Sequence, residues 1–147
     1  MAQKTKVVIN CCGPYRFFGE PVVKACVENG ASHVDVSGEP QFMESMQLKY
    51  HKAAEENGVY IVSACGFDCI PADLGTIFLQ KHFEGGLNSV EIFLKPGAIK
   101  TDKKIKRGAA VHYGTWASAV YGLAHANELS SIRSKLYPQR LPLFNQN

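Results

Sequence analysis

Over its first 83 residues the chain alternates short apolar runs with longer stretches of helical periodicity. Val7-Val8-Ile9 is fully apolar and β-branched, the pattern of a strand buried on both faces. Asn10-Cys11-Cys12-Gly13-Pro14-Tyr15 ends it, because Gly-Pro forces a turn. The helix expected next has Pro21 in its first turn, Val22, Val23, Cys26 and Val27 along one side, and Asn29-Gly30 as its stop. Val34-Asp35-Val36 reads as a second strand, ending at Ser37-Gly38-Glu39. A helix from about Gln41 to Glu56 follows, with Phe42, Met46 and Tyr50 at helical spacing. Val59–Val62 is a third strand, Cys65-Gly66-Phe67-Asp68 the turn after it, and Ala72–His82 another helix.

Three apolar strands joined by connections of a dozen or more residues predict parallel pairing in an α/β fold. Right-handed crossovers then lay the helices on the sheet faces. Ligands bind such sheets beyond the carboxyl ends of the strands. The three ends here, Asn10–Tyr15, Ser37–Glu39 and Cys65–Asp68, each contain a glycine that lets a ligand approach the backbone.

Beyond Gly85-Gly86 the texture changes. Ser89–Leu94 alternates like a strand of a different sheet, Ala109–His112 follows a basic loop, and a helix is expected from Gly114 to His125. The ending around Pro138 and Pro142 reads as irregular. Residues 1–83 are thus expected to form one domain, and 84–147 the opening of a second.

Charge divides along the same line. Residues 1–94 carry 7 Lys/Arg against 11 Asp/Glu, and residues 95–147 carry 9 against 2. Six of those nine fall within Lys95–Arg107, a run suited to an anionic surface or to a plain solvated loop. It has none of the interleaved aromatics on which single-stranded nucleic acid stacks, so no nucleic-acid partner is expected. No run approaches the ~18 apolar residues of a membrane span, and the opening Met1–Lys6 has no room for a signal sequence, so a cytoplasmic, non-secreted protein is expected. Five cysteines, in C-C and C-x-x-x-C spacings, favour reduced thiols over a disulfide framework and give no metal site. Cys65 or Cys69 with His51 or His112 as base is the one nucleophilic alternative; buried cysteine is more often a small hydrophobe.

Neither G-x-G-x-x-G nor G-x-x-x-x-G-K-[ST] occurs in the chain. Yet three blocks, Val8-Ile9-Asn10-Cys11-Cys12-Gly13-Pro14-Tyr15-Arg16-Phe17-Phe18-Gly19-Glu20-Pro21-Val22-Val23, Asp35–Phe42 and Cys65–Gly75, closely resemble the saccharopine dehydrogenase-like oxidoreductases. More distantly, they are similar to trans-acting enoyl reductases. Gly114-Thr115-Trp116 is a weaker echo. The resemblance implies the C-terminal half of a Rossmann-type parallel sheet, then the beginning of an α+β second domain. It implies an NAD- or NADP-linked oxidoreductase acting on a small-molecule or lipid-related substrate, with an association with lipid droplets or membranes.

In the resembled family a Gly-rich strand–turn–helix and two further strands precede the first block, so the chain is expected to be an internal or truncated piece, weakly active or inactive alone. The resemblance puts Asn10, Cys11, Cys12, Gly13, Pro14 and Tyr15 on the cofactor wall. Ser37, Gly38, Glu39, Gly66, Phe67 and Asp68 line the rest of the cleft. Glu39 is either a cleft residue or a cap for the helix after it, and Asp68 either orients a hydroxyl or caps its own helix. Cofactor binding by this chain alone is expected to be weak or nil. The alternative function is a non-enzymatic module that binds a protein or lipid surface through residues 95–107. In the doubly wound strand order the absent strands lie beside Val7–Asn10, so an exposed sheet edge and self-association are expected.

Overall fold

The computed structural model describes residues 1–95 and 111–139. A 3-10 turn at Ala2–Lys4 leads into β1 (Val7–Asn10), α1 (Tyr15–Glu28), β2 (Ser32–Asp35), α2 (Pro40–Glu56), β3 (Ile61–Val62) and α3 (Ile70–His82). Two more helices, α4 (Tyr113–Ala124) and α5 (Glu128–Leu136), complete the described elements. The strands form one parallel sheet in the order β1-β2-β3. Val7 stands opposite Ser32, Asn10 opposite Asp35, and His33 opposite Ile61. This is the expected α/β architecture.

Right-handed crossovers that all step the same way place α1 and α2 on one side of the sheet. The core forms there from Tyr15, Val23 and Val27 of α1 and Phe42, Met46 and Ala54 of α2, with Val59 and Ile61 packed against it. Close approach of the two helices depends on Gly19, where a Cβ atom would stand 2.3 Å from the Phe42 ring. Tyr15 stacks on the same ring, centroids 5.5 Å apart.

Val7-Val8-Ile9, expected to be buried on both faces, is largely exposed on one, and the buried side of the sheet is the polar one. His33, Asp35, Ser37, Glu39 and Gln41, every second residue, are all buried and all polar. Val36 faces outward and is exposed, as are Val7, Ile9 and Val62. The side under the helices therefore carries a polar spine at the strand ends, and the other side is apolar.

Several boundaries differ from the sequence reading. The first helix starts at Tyr15, and Pro21 lies inside it. Pro21 is exposed, so the carbonyl it leaves without a helical donor can turn to water. β2 ends at Asp35 and β3 is only Ile61–Val62. Ser89–Leu94 is no strand: these residues pair with nothing in the described sheet. α5 was not anticipated: Leu129, Ile132 and Leu136 recur at helical spacing, but the other positions of Glu128–Leu136 are polar. Ala109, Ala110, the basic run after Lys95 and the stretch from Arg140 onward lie outside the described residues.

Candidate functional site

The turn after β1 begins with an Asx turn in which Asn10 Oδ1 accepts the Cys12 N–H at 3.1 Å. That bond fixes the amide orientation, and Asn10 Nδ2 is left buried with no partner among the described residues. The Tyr15 hydroxyl returns to donate to the Asn10 carbonyl at 2.8 Å, closing Asn10–Tyr15 into a compact loop. Burial pushes the Tyr15 phenol above its ordinary range. Cys11, Cys12 and Gly13 are exposed on the loop's outer side, and Gly13-Pro14 is a cis peptide.

The turn after β2 is joined to the first by one carboxylate. Glu39 Oε1 accepts the Tyr15 N–H at 2.8 Å and Oε2 accepts the Arg16 N–H at 2.9 Å. Glu39 thus caps α1, a helix that precedes it, and makes no side-chain cap bond to α2, which it immediately precedes. The expectation that Glu39 caps the helix after it is thus corrected: it caps the helix before it. Ser118 of α4 donates to Glu39 Oε1 at 2.7 Å. Gln41 Nε2 donates to the Gly122 carbonyl at 2.8 Å, near the C-terminal end of α4. Arg16 pairs with Glu128 at 2.7 Å, and Arg133 lays its guanidinium fork on Glu44. The helices beyond residue 111 are therefore fastened over α1 and α2 next to the strand ends.

Asp35 ties the second turn to the third. Fully buried, it accepts the Ser37 N–H at 2.9 Å and the Ala64 N–H at 3.1 Å on Oδ1, and the Ser63 hydroxyl at 2.9 Å on Oδ2. Ala64 is held in the left-handed region, φ 61°, which swings Cys65–Asp68 back toward β2. Gly38 and Asp68 then face each other, Asp68 Oδ2 lying 3.5 Å from where a Gly38 Cβ would be. Gly66 lies against Val36 on the outer side of the sheet. Phe67 and Asp68 are exposed, and Asp68 makes no cap bond to α3, whose N-cap residue is Cys69.

The twelve residues singled out from the sequence thus fall on three adjoining turns at one end of the sheet. Asp35 was not among them. It lies between two valines inside an apolar strand, and only its place at the strand's last position could have marked it. His33, two residues earlier on the same face, is fully buried with both ring nitrogens unpartnered, Nδ1 standing 3.7 Å from Asp35 Oδ2. Burial holds its imidazole below the ordinary histidine range, and the Asp35 charge offsets this only in part.

The thiol alternative gains nothing from the geometry. Cys65 Sγ donates to the Val62 and Ser63 carbonyls, and His112 caps α4 through Nδ1. His51 lines a cavity of about 480 Å³ between α2 and β3, with Met43, Met46, Tyr60 and Ser63, along the sheet edge opposite β1. Among the described residues no helix is long and apolar enough to cross a membrane.

Residues 1–62 match the family model of the saccharopine dehydrogenase NADP binding domain. The chain is 50% identical over 143 residues to the human saccharopine dehydrogenase-like oxidoreductase, covering 97% of this chain and 32% of the human protein. The mouse protein of the same name is 52% identical over 134 residues, 91% of this chain and 30% of its own length. A Caenorhabditis elegans protein named lipid droplet localized protein is 50% identical over 143 residues, 96% of this chain and 32% of its own. No solved structure matches the chain. The chain spans about a third of the length of these curated relatives. The resemblance in the three strand-end blocks, the parallel α/β sheet that carries them and the identity along nearly the whole chain agree: this chain is similar, over about a third of their length, to the saccharopine dehydrogenase-like oxidoreductases, and its residues 1–62 to the saccharopine dehydrogenase NADP binding domain.

Proposed function

We propose that the three strand-end turns form one wall of a nicotinamide-dinucleotide cleft in an oxidoreductase. The observation that carries this reading is the pair of buried carboxylates, Glu39 and Asp35, which lock the ends of β1, β2 and β3 into one surface. The match of residues 1–62 to an NADP binding domain supports it.

The residues fit one part of the cofactor and not another. Asn10 Nδ2 is a buried donor without an acceptor among the described residues, an arrangement that costs about 1–3 kcal/mol unless an oxygen reaches it. A ribose hydroxyl or a carboxamide oxygen at the strand ends meets that need. The helix starts at the three strand ends offer the diphosphate no such place. A helix N-terminus holds phosphate through free N–H groups, but at α1 the Tyr15 and Arg16 N–H groups already donate to Glu39. α2 begins with Pro40, and α3 carries Pro71 and Asp73 in its first turn.

When bound, the nicotinamide supplies the hydride chemistry. Asn10 orients it, and the Tyr15, Ser37 and Glu39 cluster fixes the wall. The substrate on this reading is a small or lipid-related molecule, and the location is the lipid-droplet surface that the Caenorhabditis elegans relative's name carries. Without a diphosphate cradle the chain by itself binds the dinucleotide weakly. Isothermal titration with NADH and NADPH tests this: no heat at micromolar ligand is expected, and a micromolar Kd overturns the division between the two parts.

A further inference from the structure

We infer that Cys11 and Cys12 form a redox-responsive dithiol, which a low-molecular-weight disulfide such as glutathione disulfide closes into a vicinal disulfide at the end of β1. They are the two exposed thiols of the chain; Cys26 is buried, and Cys65 and Cys69 are partly buried. The turn itself holds them outward. Tyr15 folds back beneath the loop, with its hydroxyl on the Asn10 carbonyl and its ring 3.5 Å from where a Gly13 Cβ would stand. That ring fills the inner side, so both sulfurs face solvent, where a small disulfide can reach either one. The turn's internal bonds run through Asn10 and Tyr15, and its tie to the next turn runs through Glu39, so no side-chain contact of the site depends on either thiol.

The chemistry is thiol–disulfide exchange. One cysteine thiolate attacks a sulfur of the reagent, forming a mixed disulfide and releasing one reagent thiolate. The neighbouring cysteine gives its proton to solvent, attacks the protein-bound sulfur and expels the second reagent thiolate. In all, the protein loses two electrons and two protons, and the reagent takes them up as two thiols. The second step joins adjacent residues, so proximity favours it over accumulation of the mixed disulfide. Its product is an eight-membered ring that contains the Cys11–Cys12 peptide. That peptide is trans, which sets the two Cα atoms about 3.8 Å apart, closer than the roughly 4.4–6.8 Å of ordinary disulfides. Such a bond is readily reduced again, which makes the pair a reversible switch and not a structural link. Ring closure also fixes ψ of Cys11, the torsion that aims the Cys12 N–H at Asn10 Oδ1. Oxidation therefore re-aims the Asn10 side-chain amide.

Peptide mass mapping tests the proposal on the full chain, treated with millimolar glutathione disulfide, alkylated with iodoacetamide and cut with trypsin. Lys6 and Arg16 place both thiols in one peptide, Val7–Arg16, which holds no other cysteine. That peptide is expected unalkylated and about 2 Da lighter than its dithiol form, and dithiothreitol before alkylation should restore both alkylation sites. C11S and C12S should show no such loss and should carry glutathione on the thiol that remains. A native peptide that carries glutathione, is alkylated twice, or is cross-linked to a peptide bearing Cys26, Cys65 or Cys69 overturns the inference. In the ¹⁵N-labelled chain the Cys12 amide and the Asn10 side-chain amide are expected to shift on oxidation; a 2 Da loss that leaves both resonances in place overturns the coupling to Asn10. Neither measurement contains a nucleotide, so both are independent of whether these turns bind one.

Discussion

Glu39 holds Tyr15 from 24 residues away: its carboxylate takes the Tyr15 N–H at 2.8 Å and the neighbouring Arg16 N–H at 2.9 Å. An acid after β2 therefore decides where the helix after β1 begins. The same contact joins two of the candidate site's three turns and occupies the first N–H groups of α1, the groups with which a helix start holds a phosphate.

Replacing Glu39 with alanine removes a cap and leaves buried N–H groups without acceptors. A loss of about 2 kcal/mol is expected, at the upper end of measured capping effects. Glu39→Gln keeps one acceptor oxygen and should lose less. Urea denaturation of the three proteins measures this; equal midpoints for Glu39→Ala and the native chain would mean the cap is not needed.

Asp35 accepts three donors while fully buried. Asp35→Ala strands the Ser37 and Ala64 N–H groups and should cost about 3 kcal/mol. Asp35→Asn should retain most of the stability, because its oxygen can still accept both N–H groups and the Ser63 hydroxyl can reverse and accept from the new amide. Thermal melts that rank asparagine with alanine would contradict this.

Gly19→Ala drives a methyl into the Phe42 ring, 2.3 Å from its nearest carbon. Overpacking of this kind costs about 1–3 kcal/mol. The double variant Gly19→Ala with Phe42→Leu frees the space and should recover part of the loss. If the single variant is as stable as the native chain, α1 and α2 do not pack at this distance.

His33 gives the fold an acid limb. Its folded pKa lies below the 6.5 of the unfolded chain because burial disfavours the charged ring. The unfolded state therefore binds the extra proton, and stability is full above about pH 6.5 and falls as pH drops through that value toward the folded pKa. His33→Leu should flatten the melting temperature between pH 7 and pH 5. A native melting temperature that does not change over this range would place the ring in contact with water.

Much of the fold was legible because the strand runs are short, apolar and separated by Gly- and Pro-bearing turns. The α/β class and the three parallel strands follow from that spacing alone. The helix start at Tyr15 was not legible, since its cap lies 24 residues away and the local signal, Pro21, points elsewhere. The polar buried side of the sheet was equally hidden. Val34 and Val36 look like core, yet the buried side belongs to His33, Asp35, Ser37, Glu39 and Gln41; Asp35, Glu39 and Gln41 find partners more than twenty residues away, and His33 has none among the described residues. Ser89–Leu94 has strand-like alternation but no neighbour to pair with among the described residues, and alternation alone does not make a strand.

The site is tested most directly by titrating NADPH to millimolar concentration into the ¹⁵N-labelled chain and following its amide resonances. Saturable shifts are expected at the Asn10 side-chain amide, at Ser37–Glu39 and at Gly66–Asp68, with those of Asn10 absent from Asn10→Asp. Shifts confined to residues lining the cavity between α2 and β3, or no shifts at all, would contradict a dinucleotide wall at the strand ends.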